Sequence, residues 1–480
     1  MSSANETPPA EGAATPAATA SHDTGTPQAL LDFMLQGWAP RTGDGWEPVK
    51  HAAAHRARRA ALSARFPGET LLIPTGQEKV RANDTHYRFR PSSDFYWLTG
   101  CHEADNVLAL VPDGAGHRSV LFAEPTGRDS ARFFTDRHKG ELWVGARLGL
   151  EGSRQRFCVD ECRSLADLDR FLAGLGDARR VLRGLDARLD TLDASPADAE
   201  FATWLSEARL VKDAGEINEL RISIDATKRG FDDVIRNLRT SPTERWVEGI
   251  FGLRARVDGN DVGYGTIAAC GAHACTLHWT RNDGAMRPDE LLLLDAGVEG
   301  HHLYTADITR TLPVGGRFSA PQRRIYELVW RAQQAAFATI RPGAQFLDPN
   351  KAAMDVLAQG LYDLGILKVE PAEALREDRL LHKRWTLHNV SHMLGIDVHD
   401  CAKARAESYK FGKVEAGMVF TVEPGLYFQP DDLTVPEEYR GIGVRIEDDI
   451  VVTADGYENL SAHVPSSADD VEAWIAELWK

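Results

Sequence analysis

Length, composition and charge limit the kind of protein that this sequence can encode. With 480 residues, of which 43% are hydrophobic and 26% charged, the chain is too long for one ordinary core and predicts a globular protein of about two domains. Its formal net charge of −16 argues against DNA or RNA as a partner, because an acidic chain gains nothing from phosphates.

The N-terminal residues, 1–45, are rich in Ala, Thr, Pro and Ser, which predicts a disordered tail. Within it, ALLDFMLQGW at 29–38 is apolar enough to form a short docked helix. Residues 1–40 lack Lys, Arg and the apolar run of a secretion signal, and nowhere do 18 apolar residues follow one another. Six scattered cysteines favour reduced thiols. We therefore expect a cytoplasmic protein without a membrane span.

A first α/β domain is predicted over 46–207. Helix and strand signals alternate there, and Gly or Pro ends the short strands. The predicted helices are HAAAHRARRAALSARF, SLADLDRFLAGL and ADAEFATWLSEARL, and the predicted strands are GETLLIPTG, FYWLTG, NVLALVPDG and RSVLFAEP.

A second unit is predicted over 208–480, and it begins with a helix. Asp213 and Glu216 form a D-x-x-E capping box ahead of apolar residues at helical spacing. Because both units mix helices with strands, the predicted fold class is α/β (α+β). The further predicted helices are SPTERWVEGIFGLRARV, PQRRIYELVWRAQQAAFATI and LDPNKAAMDVLAQGLYDLG, and the predicted strands are YGTIAACG, LLLLDAGV, ADITRTLPV, GMVFTVEPG and VRIEDDIVVT.

Acidic residues of this second unit lie inside apolar, strand-like runs. Asp295 ends the run LLLL, Asp307 lies in the next strand, and Glu423 ends MVFTVE. Glu447 lies two positions after Arg445 and therefore on the same strand face. Buried carboxylates are costly without cations, and Arg445 alone cannot offset four of them.

Two divalent cations would offset this charge. Carboxylates that bridge two metals about 3.5–4 Å apart are a known hydrolytic arrangement, and His392 adds a nitrogen ligand. Four carboxylates and one imidazole favour Mn²⁺, with Co²⁺, Fe²⁺ or Mg²⁺ as alternatives. His388 and His392 form H-x-x-x-H, but Asn389 stands where a zinc protease of that type needs glutamate. A structural acidic patch without metal is the other interpretation.

The hairpin that carries Asp295 and Asp307 must place both side chains on the same face of the sheet if they are to bind the same metal ions. A tight two-residue turn after the first strand would place Asp295 opposite Tyr304, three positions before Asp307. Because side chains alternate between faces, the two carboxylates would then point to opposite sides of the sheet. We therefore predict an extra residue, either as a β-bulge between 301 and 307 or as a longer loop.

These segments resemble the Xaa-Pro aminopeptidases, also called aminopeptidase P, of the creatinase or pita-bread metallopeptidases. The resemblance runs from about 50 to 475. It implies an aminopeptidase P N-terminal domain at 46–207, a pita-bread catalytic domain at 208–480, and a homo-oligomer (dimer or tetramer). In the second unit it rests on LLLLDAGVEG, YTADITRTLPV, SHMLGIDVHD, TVEPGLYF and GIGVRIEDDI, and in the first on YRFRPSSDFYWLTG.

The resemblance also implies the roles of the metal ligands. Asp295 would hold one metal through both oxygens, and Asp307 and Glu447 would bridge both metals. His392 and Glu423 would complete the second site. Glu423 would also shuttle the proton of the nucleophile to the leaving nitrogen.

Further residues would surround the substrate. His399 and His278 match histidines that would stabilise the tetrahedral intermediate by hydrogen bonds. His388 and Arg445 match residues near the bound proline and the site wall, and Tyr427 matches an aromatic residue near the metal centre.

The activity implied by the resemblance is release of the N-terminal residue from peptides with proline at the second position. The alternatives are an Xaa-Pro dipeptidase (prolidase) with the same ligands, a creatinase-like amidinohydrolase without them, and a metal-free pita-bread binding module. The YRFRPSSDFYWLTG segment favours the aminopeptidase over the dipeptidase, and the complete ligand set argues against the other two. Asn389 and Trp279 replace the family's usual Gly and Tyr, which leaves fine specificity open.

Overall fold

The computed structural model describes residues 26–39, 43, 45–83, 85–125 and 131–480. Most of the tail for which disorder is predicted lies outside the described residues. Its described part contains a short helix, α1 (Gln28–Met34), and the ring of Trp38 contacts those of Phe133 and Phe134. A short helix predicted within 29–38 is therefore confirmed, whereas the contacts with the first unit come from Trp38, beyond the end of the helix.

The first unit is a mixed sheet with helices on both faces. Its elements in chain order are α2 (Ala52–Arg65), β1 (Thr70–Pro74), β2 (Val80–Ala82), β3 (Thr85–His86), α3 (Ser93–Thr99), β4 (Val107–Asp113), β5 (Gly116–Ala123), α4 (Arg132–Thr135), α5 (Glu141–Val144), α6 (Gly149–Arg156), β6 (Glu161–Ser164), α7 (Leu168–Ala173), β7 (Arg179–Val181), α8 (Ala187–Asp190) and α9 (Pro196–Ala208). The strand order is β6-β5-β4-β1-β7, with β4 antiparallel and β7 parallel to β1.

Two hydrophobic cores explain why the central strands of this sheet read as continuous apolar runs. Leu71 and Ile73 of β1 pack in the core that also holds Leu62 of α2. Leu72, between them, faces the opposite side and packs in the core that holds Leu168 of α7. Because both faces of the sheet are covered, every position of β1 is buried.

One predicted strand of this unit is wrong, because FYWLTG belongs to the helix α3. The Ser92 hydroxyl caps this helix by accepting a hydrogen bond from the Phe95 N–H. Gly100 ends it in the left-handed region, with φ at 71°. Aromatic residues favour strands, but these caps and burial around the helix override that preference.

The second unit consists of short antiparallel sheets and long helices. In chain order its elements are α10 (Ala214–Asn237), α11 (Glu244–Asp258), β8 (Asp261–Val262), β9 (Ile267–Cys270), β10 (Leu291–Ala296), β11 (Val298–Glu299), β12 (Ile308–Pro313), α12 (Ala320–Phe337), α13 (Asp348–Asp363), α14 (Pro371–Ala374), β13 (Val419–Val422), β14 (Gly425–Tyr427), β15 (Gly443–Arg445), β16 (Asp448–Val452), β17 (Tyr457–Asn459) and α15 (Ala468–Leu478). Helix α10 contacts α11, and α12 contacts α13. None of the described helices is long and apolar enough to cross a membrane.

The predicted elements of the second unit form, except that two predicted strands are broken: LLLLDAGV divides at Gly297 into β10 and β11, and VRIEDDIVVT divides at Glu447. The capping box of Asp213 and Glu216 starts α10 and is confirmed. VRIEDDIVVT is not one strand, because β15 pairs with β14 whereas β16 pairs with β13. Glu447 lies at the break and bridges to Thr309 of β12. The chain thus changes from one sheet to the next at the acidic residue.

The hairpin of β10, β11 and β12 has the longer loop that parity requires. Asp295 pairs with Thr309, and Glu299 bridges to Thr305, so residues 300–304 form the loop. Asp307 lies two positions from Thr309 and therefore on the same sheet face as Asp295. The longer-loop form of the prediction is confirmed.

The hairpin also requires a glycine at position 297. A Cβ atom there would lie 1.6 Å from the Ala306 carbonyl oxygen, so the backbone itself would have to move. We expect Gly297→Ala to lower the free energy of unfolding by about 3 kcal/mol, measured by urea denaturation. The control is Gly249→Ala on α11, where nothing lies within 4 Å of the new Cβ and where we expect a gain of about 0.5–1 kcal/mol. Equal effects of the two variants would contradict this account of the hairpin.

Candidate active site

A cavity of about 700 Å³ opens in the second unit, and the predicted site residues converge on it. The hydroxyl group of Tyr427 is hydrogen-bonded to His388 and Arg445, two residues that line the cavity. The predicted site residues that line the cavity are Asp295, Asp307, His392, Glu423, Glu447, His278, His388, His399 and Arg445.

Asp295 and Asp307 enter the cavity from neighbouring strands of the hairpin. The Tyr264 hydroxyl lies between them, 2.7 Å from Oδ1 of Asp295 and 2.5 Å from Oδ1 of Asp307. The backbone N–H of Asp307 donates to the buried carboxylate of Asp449. The shared Tyr264 hydroxyl thus holds one carboxylate oxygen of each aspartate in place.

Glu447 and Arg445 reach the site from the break between β15 and β16. The Thr309 hydroxyl donates to Oε2 of Glu447 at 2.6 Å and accepts from Nε of Arg445 at 3.3 Å. These two side chains therefore share a face, as their spacing predicts, although the strand is interrupted. The guanidinium of Arg445 also donates to Oδ2 of Asp295, and this hydrogen bond connects the end of β15 with β10 of the hairpin.

Glu423 and His392 form the third side of the site. Glu423 follows β13 directly, and its N–H donates to the Val390 carbonyl at 2.8 Å. The N–H of Thr421 donates to the His392 carbonyl at 3.0 Å, so β13 aligns the histidine segment. Nε2 of His392 then lies 3.4 Å from Glu423 and 3.3 Å from Asp307.

The pKa values of these groups show that the cavity disfavours negative charge on its carboxylates. Burial raises the pKa of Glu423 to about 7, against the opposing charges of His392 and Arg445. Burial and the charge of Asp307 raise the pKa of Glu447 well above its usual range. Burial alone would lower the pKa of His392, but its hydrogen bond with Asp307 and the charge of Glu423 raise it to about 9. The protein alone does not neutralise its own acids, so the cavity favours added positive charge.

The donor set fits divalent metal ions. Ligand atoms of Asp307, His392 and Glu447 all lie within 4.8 Å of one another. Asp295 joins this group through the shared Tyr264 hydroxyl, and Glu423 joins it through His392. Carboxylate oxygens with one imidazole nitrogen are ligands that Mn²⁺ and similar ions accept.

The histidines around the acids differ in their contacts. His388 Nδ1 lies 2.9 Å from the Asn389 carbonyl, which can only accept, so this nitrogen carries the proton. Burial and the charge of Arg445 lower the pKa of His388 to about 4, so the ring is neutral at pH 7. Its Nε2 therefore accepts from the Tyr427 hydroxyl at 2.7 Å. The ring of His399 packs edge-on against that of His392, with centroids 4.4 Å apart.

Trp279, one of the two departures from the family pattern, has a structural role. Its ring stacks on that of His273, with centroids 3.9 Å apart, and its Nε1 donates to Glu244. The adjacent residue His278 lines the cavity. Trp279 therefore holds in place the segment that carries His278.

Sequence reasoning missed Tyr264, Thr309 and Asp449. Tyr264 lies 31 positions before Asp295, and no pattern in the sequence connects the two. Thr309 could have been found, because it shares the strand face of Asp307 in the predicted hairpin. Asp449 was visible only as part of the acidic run that contains Glu447.

Comparisons with known proteins cover both units. The profile described as "Metallopeptidase family M24" matches residues 218–454, and that of "Aminopeptidase P, N-terminal domain" matches residues 55–182. Xaa-Pro aminopeptidase 1 of Streptomyces coelicolor is 51% identical over 463 residues, which cover 95% of this chain and 93% of that protein. Zinc-substituted E. coli aminopeptidase P in complex with product has 32% identity and a TM-score of 0.81, over 90% of this chain and 100% of that chain. The same E. coli enzyme with the inhibitor Pro-Leu also has a TM-score of 0.81, at 32% identity over 90% of this chain and 99% of that chain.

The Tyr264 hydroxyl provides a test of the ligand arrangement. We expect Tyr264→Phe to weaken Mn²⁺ binding by about tenfold or more, because the hydroxyl orients Asp295 and Asp307. Isothermal titration of the metal-free protein measures this loss. The control is Tyr362→Phe, whose hydroxyl donates to the exposed Glu370, and which should bind Mn²⁺ as the wild type does. Unchanged affinity in Tyr264→Phe would contradict the role of this hydroxyl in orienting the two aspartates.

Proposed function

We propose that this chain, which belongs to metallopeptidase family M24 and carries an aminopeptidase P N-terminal domain, releases the N-terminal residue from peptides with proline at the second position. The observation that carries the proposal is the convergence on one cavity of His392 and four carboxylates, of which three are buried and that of Glu423 is partly buried. Similarity to Xaa-Pro aminopeptidases spans both units, which favours this activity over that of an Xaa-Pro dipeptidase.

The enzyme depends on divalent metal ions, as its family and the zinc-substituted relative indicate. We propose two ions per chain, with Mn²⁺ preferred and Co²⁺, Fe²⁺ or Mg²⁺ as alternatives. When bound, such ions would polarise the scissile carbonyl and lower the pKa of water. The proposed ligands are Asp295, Asp307, His392, Glu423 and Glu447.

The remaining chemistry concerns proton transfer at the scissile bond. Proline's imide nitrogen carries no proton in the peptide and must gain one to leave as an amine. We assign this transfer to Glu423, because its carboxylate lines the cavity and a carboxylate can both accept a proton and donate it again. His399 and His278 line the same cavity and would donate hydrogen bonds to the carbonyl oxygen as it becomes negative.

His388, Arg445 and Tyr427 form one hydrogen-bonded chain along the wall. Nη1 of Arg445 donates to the Tyr427 hydroxyl at 2.9 Å, and that hydroxyl donates to His388. The chain fixes the orientation of three side chains that could otherwise rotate. We assign it to binding and orienting the proline side of the peptide.

Location and assembly are also proposals. All six cysteines are free thiols, which suits the reducing cytoplasm. We expect a homodimer or homotetramer, which analytical ultracentrifugation can measure.

Peptide length distinguishes the proposed activity from that of a dipeptidase. We propose to compare hydrolysis of the dipeptide Xaa-Pro with that of the tetrapeptide Xaa-Pro-Yaa-Zaa by Mn²⁺-loaded protein. An aminopeptidase cleaves the tetrapeptide efficiently and releases free Xaa. Exclusive cleavage of the dipeptide would replace the proposal with the dipeptidase activity.

Glu423→Gln tests the assigned proton transfer. The substitution keeps the size of the side chain and removes its charge and basicity, so we expect a folded protein whose kcat is reduced by about a thousandfold. The matched control is Glu458→Gln on β17, an exposed residue paired with Arg221, which should keep full activity. Near wild-type turnover of Glu423→Gln in Mn²⁺-replete buffer would exclude the role of this residue.

Metal removal tests the second part of the proposal. We expect EDTA to abolish activity and Mn²⁺ to restore it, because four of the five proposed ligands are carboxylates. Elemental analysis of the active protein should give about two ions per chain, as in other two-metal hydrolytic sites. Full activity with a single stoichiometric zinc ion would contradict the two-metal arrangement.

A further inference from the structure

A thin segment of chain separates the active-site cavity from a second cavity between the two units. The second cavity has a volume of about 850 Å³ and is lined by Arg90 from the first unit and Asp397 from the second. Val398 and His399, the next two residues, line the active-site cavity instead. Contacts made in the second cavity therefore act directly on the wall of the active site.

Arg90 binds this wall from the first unit. Its Nη2 donates to the Ile396 carbonyl at 2.8 Å and to Oδ1 of Asp397 at 3.2 Å. The neighbouring Ser93 hydroxyl donates to the same Asp397 oxygen at 2.6 Å. Both donors belong to the YRFRPSSDFYWLTG segment, whose contribution to the site the proposed chemistry leaves unexplained.

The same guanidinium group binds the metal-site hairpin. Nε of Arg90 donates to Oε2 of Glu299 at 2.5 Å. Glu299 is only 4% exposed, and its other oxygen accepts from the Asn260 side chain at 2.6 Å. A carboxylate this deeply buried requires a cationic partner, and Arg90 provides it.

The two acids that Arg90 joins lie close in sequence to the proposed ligands. Glu299 is four positions after Asp295, on the same hairpin, whereas Asp397 lies between His392 and His399. Thr305 reinforces the connection, because its N–H donates to the Gly395 carbonyl at 2.9 Å. Movement of Arg90 would therefore change the position of the aspartate ligands relative to the histidines.

We propose that Arg90 is a positioning residue for the active site, which fixes the hairpin of Asp295 against the His392–His399 segment by binding Glu299 and Asp397 together. The inference rests on the proposed function for its activity measurement, but its metal-binding measurement does not. Only a planar guanidinium offers separate donors in fixed directions to two carboxylates. Lysine at this position would keep the charge and lose the bridge.

Arg88, two positions earlier, offers a matched control. It also extends from the first unit to the second and forms an ion pair, with Asp261 on β8. Its other partner across the units is the Asn260 carbonyl, so among the described contacts it makes none with the wall segment. Arg88→Gln thus removes one ion pair between the units without breaking the bridge.

The experiment compares Arg90→Gln, Arg90→Lys and Arg88→Gln. Mn²⁺ affinity is measured by competition with a chelator, kcat and KM are measured on an Xaa-Pro-Yaa-Zaa peptide, and circular dichroism checks folding. We expect both Arg90 variants to lose about tenfold or more in Mn²⁺ affinity and in kcat, with KM changed much less. Arg88→Gln should remain within about twofold of the wild type.

Two further variants keep the test decisive if Arg90→Gln does not fold. Arg90→Gln combined with Glu299→Gln removes the unpaired buried charge. Asp397→Asn leaves the Arg90–Glu299 pair intact while weakening the contacts of Arg90, Ser93 and Arg209 with the wall. We expect both to lose Mn²⁺ affinity. Affinity and kcat equal to those of Arg88→Gln in the folded Arg90 variants would overturn the inference. An inactive wild type that binds Mn²⁺ would instead overturn the proposed function and leave the affinity test valid.

Discussion

Repulsion between carboxylates is the constraint on which this structure depends. Asp295, Asp307, Glu423 and Glu447 face one cavity, and two like charges about 4 Å apart repel each other by about 4 kcal/mol at the effective dielectric constant of a protein. Among the described residues that line the cavity, Arg445 has the only guanidinium, and it cannot compensate for all four carboxylates. The fold therefore holds these groups against their repulsion, and cations relieve it. Binding and folding are coupled at such a site.

The scaffold resists this repulsion because each acid lies on or beside a different strand. Arg310 is fully buried and donates to the Glu447 carbonyl, to the Asp448 carboxylate and to the Val464 carbonyl. Its side chain thus fixes the backbone at the break between β15 and β16. Gln333 of α12 donates to the carbonyls of Val422 and Ile446, so the helix layer holds the same break from the other side. The acids cannot separate without displacing backbone that is hydrogen-bonded on both sides.

Local patterns placed the four acids within or beside apolar strands, which is visible in a single segment, and in the structure they lie within β10, before β12, after β13 and between β15 and β16. Parity even predicted the loop of the hairpin, because only an odd shift in register brings Asp295 and Asp307 to one face. The helix α3 was missed because its aromatic residues favour strands, although Ser92 and Gly100 marked its ends. Tyr264 could not be found, because its contact with the hairpin depends on how separate strands meet in three dimensions.

The hairpin also explains why the first unit matters to the chemistry of the second. One end of it carries the aspartates, and the other end, the loop 300–304, packs against the first unit. The Tyr96 hydroxyl lies 3.0 Å from Nδ1 of His302 in that loop, and Tyr304 donates to Glu216 on α10, as does Trp97. Hydrogen bonds therefore hold the hairpin at both ends, at Asp295 and at the loop 300–304. The first unit thus contacts the same hairpin that carries the two aspartates proposed as metal ligands.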